Sequence, residues 1–492
     1  MQRSRSLVDA LLCGLYDYVA LSLKIQSTVV KNLIDYKENL LAPFSCNPLT
    51  HTFTEPSITV GIMDHRQKVA GCFEGYYGVE GIGQFSGNFS AREKNGAIVL
   101  SDANGTEITH GLKIRCTAQP DSLFHISEVT IGIDFHWERK EEQVFQGNLI
   151  LALRKDGMIA VINEINLEDY LKSVISSEMN SRAPREFLKA HAILSRSWLM
   201  AALNRKKVPH QPREGATKIT EHEIVRWYDR EDHDLYDVCA DDHCQRYQGI
   251  TKIISKEAID AVRQTHGQVI TSGETICDAR YSKACGGLTE NYGTAWDDKE
   301  VHYLTSISDS SVPHRAIRSE EEAEHWISSR PVVYCNTNDT DFLENVLRDF
   351  DRETRDFFRW KIEYAREELE MILQEKSGFD FGTLQNIVPL HRGPSGRISR
   401  LKIVGSKKSI IVGKELEIRR WLSRSHLYSS AFVVKVHRDK LGEIDRFVLY
   451  GSGWGHGVGL CQIGAAVMAS KGFTAGEILN HYFPGTEIQR LY

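Results

Sequence analysis

No apolar stretch in these 492 residues is long enough to cross a bilayer, so a helical membrane span is excluded. An excess of positive charge is missing too. The 60 Lys and Arg face 66 Asp and Glu, and the formal net charge of −6 gives no pointer to a nucleic-acid partner. No internal repeat at solenoid periods is present, which excludes a stacked-repeat architecture. The ten cysteines are scattered along a chain too large to need disulfides for its core, so this is not a disulfide scaffold. A convincing secretory leader is also lacking. Arg3 and Arg5 precede the apolar stretch Leu7 to Leu23, but Asp9 and Asp17 interrupt it and no small-residue cleavage site follows. Residues 1–54 therefore read as an N-terminal extension, either a leader or an amphipathic helix.

What is present is centred on Leu167 to Ala202. Leu167, Tyr170, Leu171, Val174 and Ile175 recur at helical spacing, and Glu178 falls on the same apolar stripe. Pro184 suits the first turn of a second helix carrying Phe187, Leu188, Leu194, Trp198 and Leu199. A carboxyl on an apolar face loses water. Its pKa rises, and it can then donate a proton to a leaving oxygen. A structural glutamate paired to Arg182 or Arg196 is the alternative reading.

Upstream, residues 55–163 read as a β-rich domain. Ile58, Val60 and Ile62 alternate, while Asn104-Gly105 and Asp156-Gly157 are tight-hairpin signals between apolar runs. Asn148 to Arg154 and Met158 to Asn163 should pair and lead into the first key helix. Lys206 to Thr220 is polar and reads as a loop. Residues 311–357 are charged and helical, and read as an insertion without chemistry. The fold class expected is α+β, with a mixed catalytic region over residues 164–492 that closes on a glycine-rich loop.

Three further stretches carry chemistry. In Ala279 to Tyr292, Gly286-Gly287 permits either close backbone approach to a ligand or a sharp turn between strands, surrounded by Tyr281, Ser282, Thr289 and the carboxyl of Glu290. In Gly451 to Ala466, glycines alternate around Trp454 and His456 and are followed by Gln462. The spacing differs from the dinucleotide fingerprint, and no Lys-Ser or Lys-Thr closes a phosphate loop. An indole face can stack on a sugar ring, and an imidazole can orient or protonate. Finally, His233, Cys239, His243 and Cys244 supply two imidazoles and two thiols, the number and kind for a tetrahedral zinc site.

Taken in order, these motifs resemble the stage II sporulation protein D family, also called the amidase-enhancer family. Tyr170-Leu171, Glu178-Met179, Pro184, Leu188-Lys189-Ala190 and Ser195-Arg196 look like its catalytic helix pair. Gly286 to Glu290 with Trp296, then Gly396-Arg397, then Gly453 to Gly459 with Gln462 and Gly464-Ala465, look like its later motifs. The resemblance implies a lytic transglycosylase that cuts peptidoglycan glycan strands between N-acetylmuramic acid and N-acetylglucosamine, leaving anhydro-muramic ends. It implies Glu178 as acid and then base. Tyr281, Ser282, Gly286, Gly287, Thr289, Glu290, Trp454, His456 and Gln462 would hold the glycan, and zinc would sit in the His and Cys quartet. It further implies a cell-envelope location, periplasmic or extracytoplasmic, and a wall amidase as partner. Two alternatives stay open: a non-catalytic glycan-binding protein that stimulates an amidase, and a hydrolase using Glu178 and Glu290. Ala183, His191, Cys285 and Cys461 depart from the family pattern, and the last two are expected to be neighbours.

Overall fold

A computed structural model describes residues 54–133, 138–207, 217–227, 233–253, 255–348, 351 and 356–492. The leader or amphipathic helix expected before residue 54 lies outside the described residues. Ten strands between Ser57 and Asn166, joined by the short strand Val238–Cys239, form an eleven-stranded sheet. The first strand, Ser57–Arg66, pairs antiparallel with Ile159–Asn166, with Val60 opposite Asn163. Its other edge pairs in parallel with Val238–Cys239. Ile58, Val60 and Ile62 are buried, as their alternation predicts. Asn148–Leu153 pairs with Ile159–Asn166 across the Asp156-Gly157 turn, Leu153 opposite Ile159.

The last of these strands runs straight into helix α1 (Leu167–Glu178), which starts with Glu168 and Asp169 at the positive end of its dipole. Helix α2 (Arg185–Lys206) follows, with Pro184 at its N-cap. Ten of the twelve residues of α1 are buried, so its polar sides are covered as well as its apolar stripe. That excess burial comes from the elements packed around the pair. Helix Lys256–Gln264 lies on both helices, and strand Gln268–Ser272 and helix Ala475–Tyr482 lie on α2. Gln268–Ser272 pairs antiparallel with Glu487–Arg490, Gln268 opposite Arg490.

A second core fills the space between a five-stranded sheet, a three-stranded sheet and the helices Arg366–Ser377 and Glu415–Trp421. Thr217–Ile219, expected as loop, is instead an edge strand of the five-stranded sheet. Thr220 Oγ1 accepts from Glu223 N, tightening the turn and folding this stretch onto Glu223–Arg226. The architecture is α+β, with the β-rich part at the N-terminal side.

Candidate active site

Glu178 is the last residue of α1, and it is only 8% exposed. Burial pushes its carboxyl pKa up. The neighbouring charge of Asp242 adds to this, and those of Arg246 and Lys283 oppose it. Tyr281 Oη donates to Glu178 Oε1 at 2.8 Å, and the backbone N–H of Arg246 donates to the same oxygen at 3.0 Å. No protein group hydrogen-bonds Oε2 among the described residues. Neither Arg182 nor Arg196 pairs with this glutamate. Arg196 instead makes a two-pronged bond to Glu168, at 2.8 and 2.6 Å.

Three segments remote in sequence hold Glu178 in place. The first carries Gln245 and Arg246, whose guanidinium is ion-paired to Asp242. The second is the two-residue strand Tyr281–Ser282, which pairs in parallel with Leu460–Cys461. It continues into Lys283, whose Nζ donates to the Glu178 carbonyl at 3.1 Å, placing a cation at the C-terminus of α1. The third is the stretch 311–357. Asp351 binds Lys283 at 2.7 Å, and the carbonyl of Val346 accepts from Asn180 N at 2.9 Å. This corrects the reading of that stretch as an insertion without chemistry. Its charged surface pattern hides residues that brace the floor of the site.

Below Tyr281 lies His191, buried, its ring edge-on to the tyrosine at 5.0 Å. Its Nε2 is 3.0 Å from Gln462 Nε2, which can only donate there, so that imidazole nitrogen is an acceptor. Its Nδ1 faces Ser195 Oγ at 3.2 Å. Burial, with Lys283 nearby, drives its pKa down to about 3, so the ring is neutral. His191 and Gln462 thus form a fixed neutral shelf under Tyr281. Ser282 Oγ is buried without a hydrogen-bond partner.

The glycine-rich segment lies against this assembly. Gly453, Gly455, Gly457 and Gly459 all have positive φ, and a Cβ on Gly457 would sit 2.3 Å from the Arg397 guanidinium carbon. The alternating glycines therefore let the backbone wrap a buried arginine. Half-buried Trp454 stacks on Phe357 at 5.0 Å and tilts against Tyr428 at 4.8 Å, forming an aromatic platform. His456 is less available than expected. Its Nδ1 accepts from Val458 N at 3.0 Å, and burial with nearby arginines holds its pKa well below the usual range.

Other expected glycan contacts face the protein instead. Thr289 and Glu290 are fully buried. Thr289 Oγ1 bonds the Thr305 carbonyl and Ile307 N. Glu290 accepts from Asn291 N, Thr294 Oγ1, Ser395 N and Ser395 Oγ. Side chains at Gly286 and Gly287 would strike Ser452 and Trp326. These four residues build the framework beneath the site, because the loop turns inward where its hydroxyl and carboxyl are satisfied by backbone groups and by the hydroxyls of Thr294 and Ser395.

The donor atoms of His233, Cys239, His243 and Cys244 all lie within 4.8 Å of one another, a set that could hold a metal ion. Cys244 is two residues before Arg246, so the quartet and the Glu178 contact share one short segment. Arg246, Asp242, Lys283 and Asp351 escaped the sequence reading. The only local signals are the position of Lys283 inside Ala279 to Tyr292 and the four-residue spacing of Asp242 and Arg246. Cys285 and Cys461 are neighbours, with Cys285 N donating to Cys461 Sγ at 3.2 Å. No disulfide is formed among the described residues.

Residues 155–272 match the family model described as stage II sporulation protein, and residues 290–459 match a domain of unknown function, DUF8618. Stage II sporulation protein D of Bacillus subtilis (strain 168) is 23% identical over 333 residues, covering 66% of this chain and 75% of that protein. An uncharacterised protein of Brachyspira hyodysenteriae is 24% identical over 351 residues, 70% of this chain and 72% of that protein. The amidase enhancer of Bacillus subtilis (strain 168) is 22% identical over 252 residues, 46% of this chain and 32% of that protein.

Proposed function

From membership of the stage II sporulation protein D and amidase-enhancer family, to which this chain belongs, we propose that the protein is a lytic transglycosylase acting on peptidoglycan glycan strands. The observation that carries this is the state of Glu178. Its buried carboxyl has a raised pKa, and both of its protein hydrogen bonds fall on one oxygen, whereas Glu290, buried and raised as well, is bonded by the protein on both oxygens. Glu178 Oε2 is left to serve the substrate.

In the reaction, Glu178 donates its proton to the glycosidic oxygen between N-acetylmuramic acid and N-acetylglucosamine. The C–O bond breaks. A hydroxyl of the same muramic residue then closes on the anomeric carbon and passes its proton to the Glu178 carboxylate. The acid is regenerated, an anhydro end remains, and no water is consumed. Tyr281 Oη and Arg246 N–H stabilise the carboxylate that exists between the two proton transfers. The platform of Trp454, Phe357 and Tyr428 offers a stacking face for a sugar ring. An inverting or retaining hydrolase needs a second carboxyl beside the scissile bond. Glu290 is enclosed by four donors from the protein, which speaks against that role.

Zinc fits the His and Cys quartet. Zinc–sulfur and zinc–nitrogen bonds of ordinary length in a tetrahedron separate S from N by about 3.6 Å. Cys244 Sγ lies 3.4 Å from His233 Nε2 and 3.5 Å from His243 Nδ1, and Cys239 Sγ lies 3.9 Å from His243 Nδ1. A bound ion would supply a structural crosslink. His233, Cys239, His243 and Cys244 would then fix the loop that presents the Arg246 N–H to Glu178.

A second reading rests on the similarity to an amidase enhancer: a wall-binding protein that stimulates an amidase. It keeps the aromatic platform and needs no acid. Mass spectrometry of glycan strands, with and without stem peptides, separates the readings. Anhydro-muramic products are expected. Reducing ends would mean hydrolysis, and intact strands that remain bound would favour the enhancer. Either reading requires a cell-wall, extracytoplasmic setting. No helix among the described residues is long and apolar enough to cross a membrane.

The charges around Glu178 set the pH range of the acid. Arg246→Gln removes a cation that favours the carboxylate, so the alkaline limb of kcat/KM should move to higher pH. Asp242→Asn removes an anion that favours the protonated form, so the limb should move lower. Opposite shifts in a pH–rate profile would verify both signs. A common shift would place the limb on another group.

A further inference from the structure

Behind the catalytic strand pair lies a second group of metal-ligating side chains, composed differently from the quartet and shared among four segments. Cys285 sits between Lys283 and the Gly286-Gly287 turn. Asp309 follows the loop after Trp296, Cys335 belongs to the stretch 311–357, and Cys461 ends the short strand paired with Tyr281–Ser282. All four are at most 2% exposed, and their ligand atoms lie within 4.8 Å of one another. We propose that Cys285, Asp309, Cys335 and Cys461 bind a zinc ion that locks the glycine motif and the C-terminal motif to the stretch 311–357.

The spacing fits one ion. Cys285 Sγ and Cys335 Sγ are 3.8 Å apart. A disulfide needs about 2 Å, whereas two thiolates bound to one tetrahedral zinc at ordinary bond lengths are separated by about 3.8 Å. Three thiolates and a carboxylate are hard-to-soft ligands that suit zinc, and the burial of all four describes a closed structural site without an open position.

The surroundings match ligands rather than idle thiols. Cys461 Sγ accepts from Cys285 N at 3.2 Å, and Cys285 Sγ accepts from Gly287 N at 3.3 Å. Backbone N–H groups aimed at sulfur favour the thiolate, the form that binds metal. Asp309 is oriented on both oxygens, by Tyr482 Oη at 2.5 Å and by Cys335 N at 2.8 Å, the outer support that a metal-bound carboxylate receives. A Cβ on Gly464 would fall 2.2 Å from Asp309 Oδ1, so only glycine lets the helix start approach so closely.

The charge is complementary as well. Three thiolates and a carboxylate around a divalent ion leave a net negative centre. Arg359 lies beside it and binds only neutral acceptors: the carbonyls of Gly286, Trp326, Ser329 and Phe358, and Ser452 Oγ. Among the described residues this half-buried guanidinium has no carboxylate partner. A small cavity lined by Cys335, Phe357, Arg359 and Ile463 borders the cluster at Cys335.

The test uses the full chain purified with reductant and loaded with zinc, then dialysed. The Cys239→Ser/Cys244→Ser variant removes the His and Cys quartet and leaves this cluster intact. It should retain about one zinc ion per chain by elemental mass spectrometry. Cobalt in its place should give thiolate-to-cobalt absorption in the near ultraviolet, which a site of oxygen and nitrogen alone does not give. Adding Cys335→Ser should abolish the remaining metal and that absorption. Should the triple variant fail to fold, the cobalt spectrum of the double variant still decides. A folded double variant without metal, or a Cys285–Cys335 disulfide found by peptide mapping of the double variant after zinc loading, overturns the proposal. Loss of zinc from the quartet alone does not affect it.

Discussion

Glu178→Gln should abolish glycan cleavage, by about 10²–10⁴-fold in kcat, while binding of glycan strands persists. Glutamine keeps the volume of the side chain, and its carbonyl oxygen can still accept from Tyr281 Oη and Arg246 N–H. It cannot deliver a proton. The same variant has a stability signature. The folded state raises the Glu178 pKa, so the group's contribution to stability is fully present below the unfolded glutamate range and is lost as pH rises through the folded value. Glutamine does not titrate. The Tm of the variant relative to the wild type should therefore climb between acid and alkaline buffers. Unchanged cleavage by the variant would remove Glu178 as the acid. A Tm deficit independent of pH would mark Glu178 as a structural glutamate.

The largest expected effect on stability comes from the neighbouring ion pair. Arg196 is fully buried on α2, bound through two nitrogens to Glu168 and through a third to the Gln268 carbonyl at 2.9 Å. Glu168 also accepts from Tyr492 Oη at 2.7 Å and from Gly267 N at 3.3 Å. Arg196→Met leaves this carboxylate buried without its cation and should destabilise the protein by about 3–5 kcal/mol in denaturant titrations. Burial alone would push the Glu168 pKa up, but the bonds and charge of Arg196 more than offset it, and the carboxyl ends below the ordinary range. Its stabilisation is therefore present above the unfolded pKa and is lost as pH falls through the folded value. The wild type should lose its advantage over Arg196→Met in acid. A loss below about 1 kcal/mol would mean the pair behaves as an exposed one.

How far the sequence reads depends on distance along the chain. The helix pair is legible because Leu167, Leu171, Val174 and Ile175 repeat within a few residues, and Glu178 can be placed on their face by counting. The hairpin at Gly157 is legible for the same reason. Arg246 and Lys283 are not, since they reach Glu178 from 68 and 105 residues away and the weak signals around each do not point to that helix. Thr289 and Glu290 show a different limit. A hydroxyl and a carboxyl beside two glycines look alike on paper whether they meet a ligand or the protein's own backbone. The direction of the loop decides, and it is set by packing against Ser395 and Ile307. In the stretch 311–357 the many surface charges obscure Asp351 and Cys335, because single buried residues leave no periodic trace.

The pairing of Gln268–Ser272 with Glu487–Arg490 bears on when the site comes into being. Glu178 is made first, Tyr281 a hundred residues later, the shelf residue Gln462 almost three hundred residues after Glu178, and the sealing strand near residue 490 just over three hundred after it. Contacts of such sequence separation close slowly and only after the intervening chain exists. A ribosome-bound fragment that ends before Leu460 holds Glu178 on a helix with no pairing of Tyr281–Ser282 to Leu460–Cys461 to steady it. If the protein cleaves glycan strands as proposed, that cleavage is expected to be absent throughout translation and to begin only when the far strands have docked.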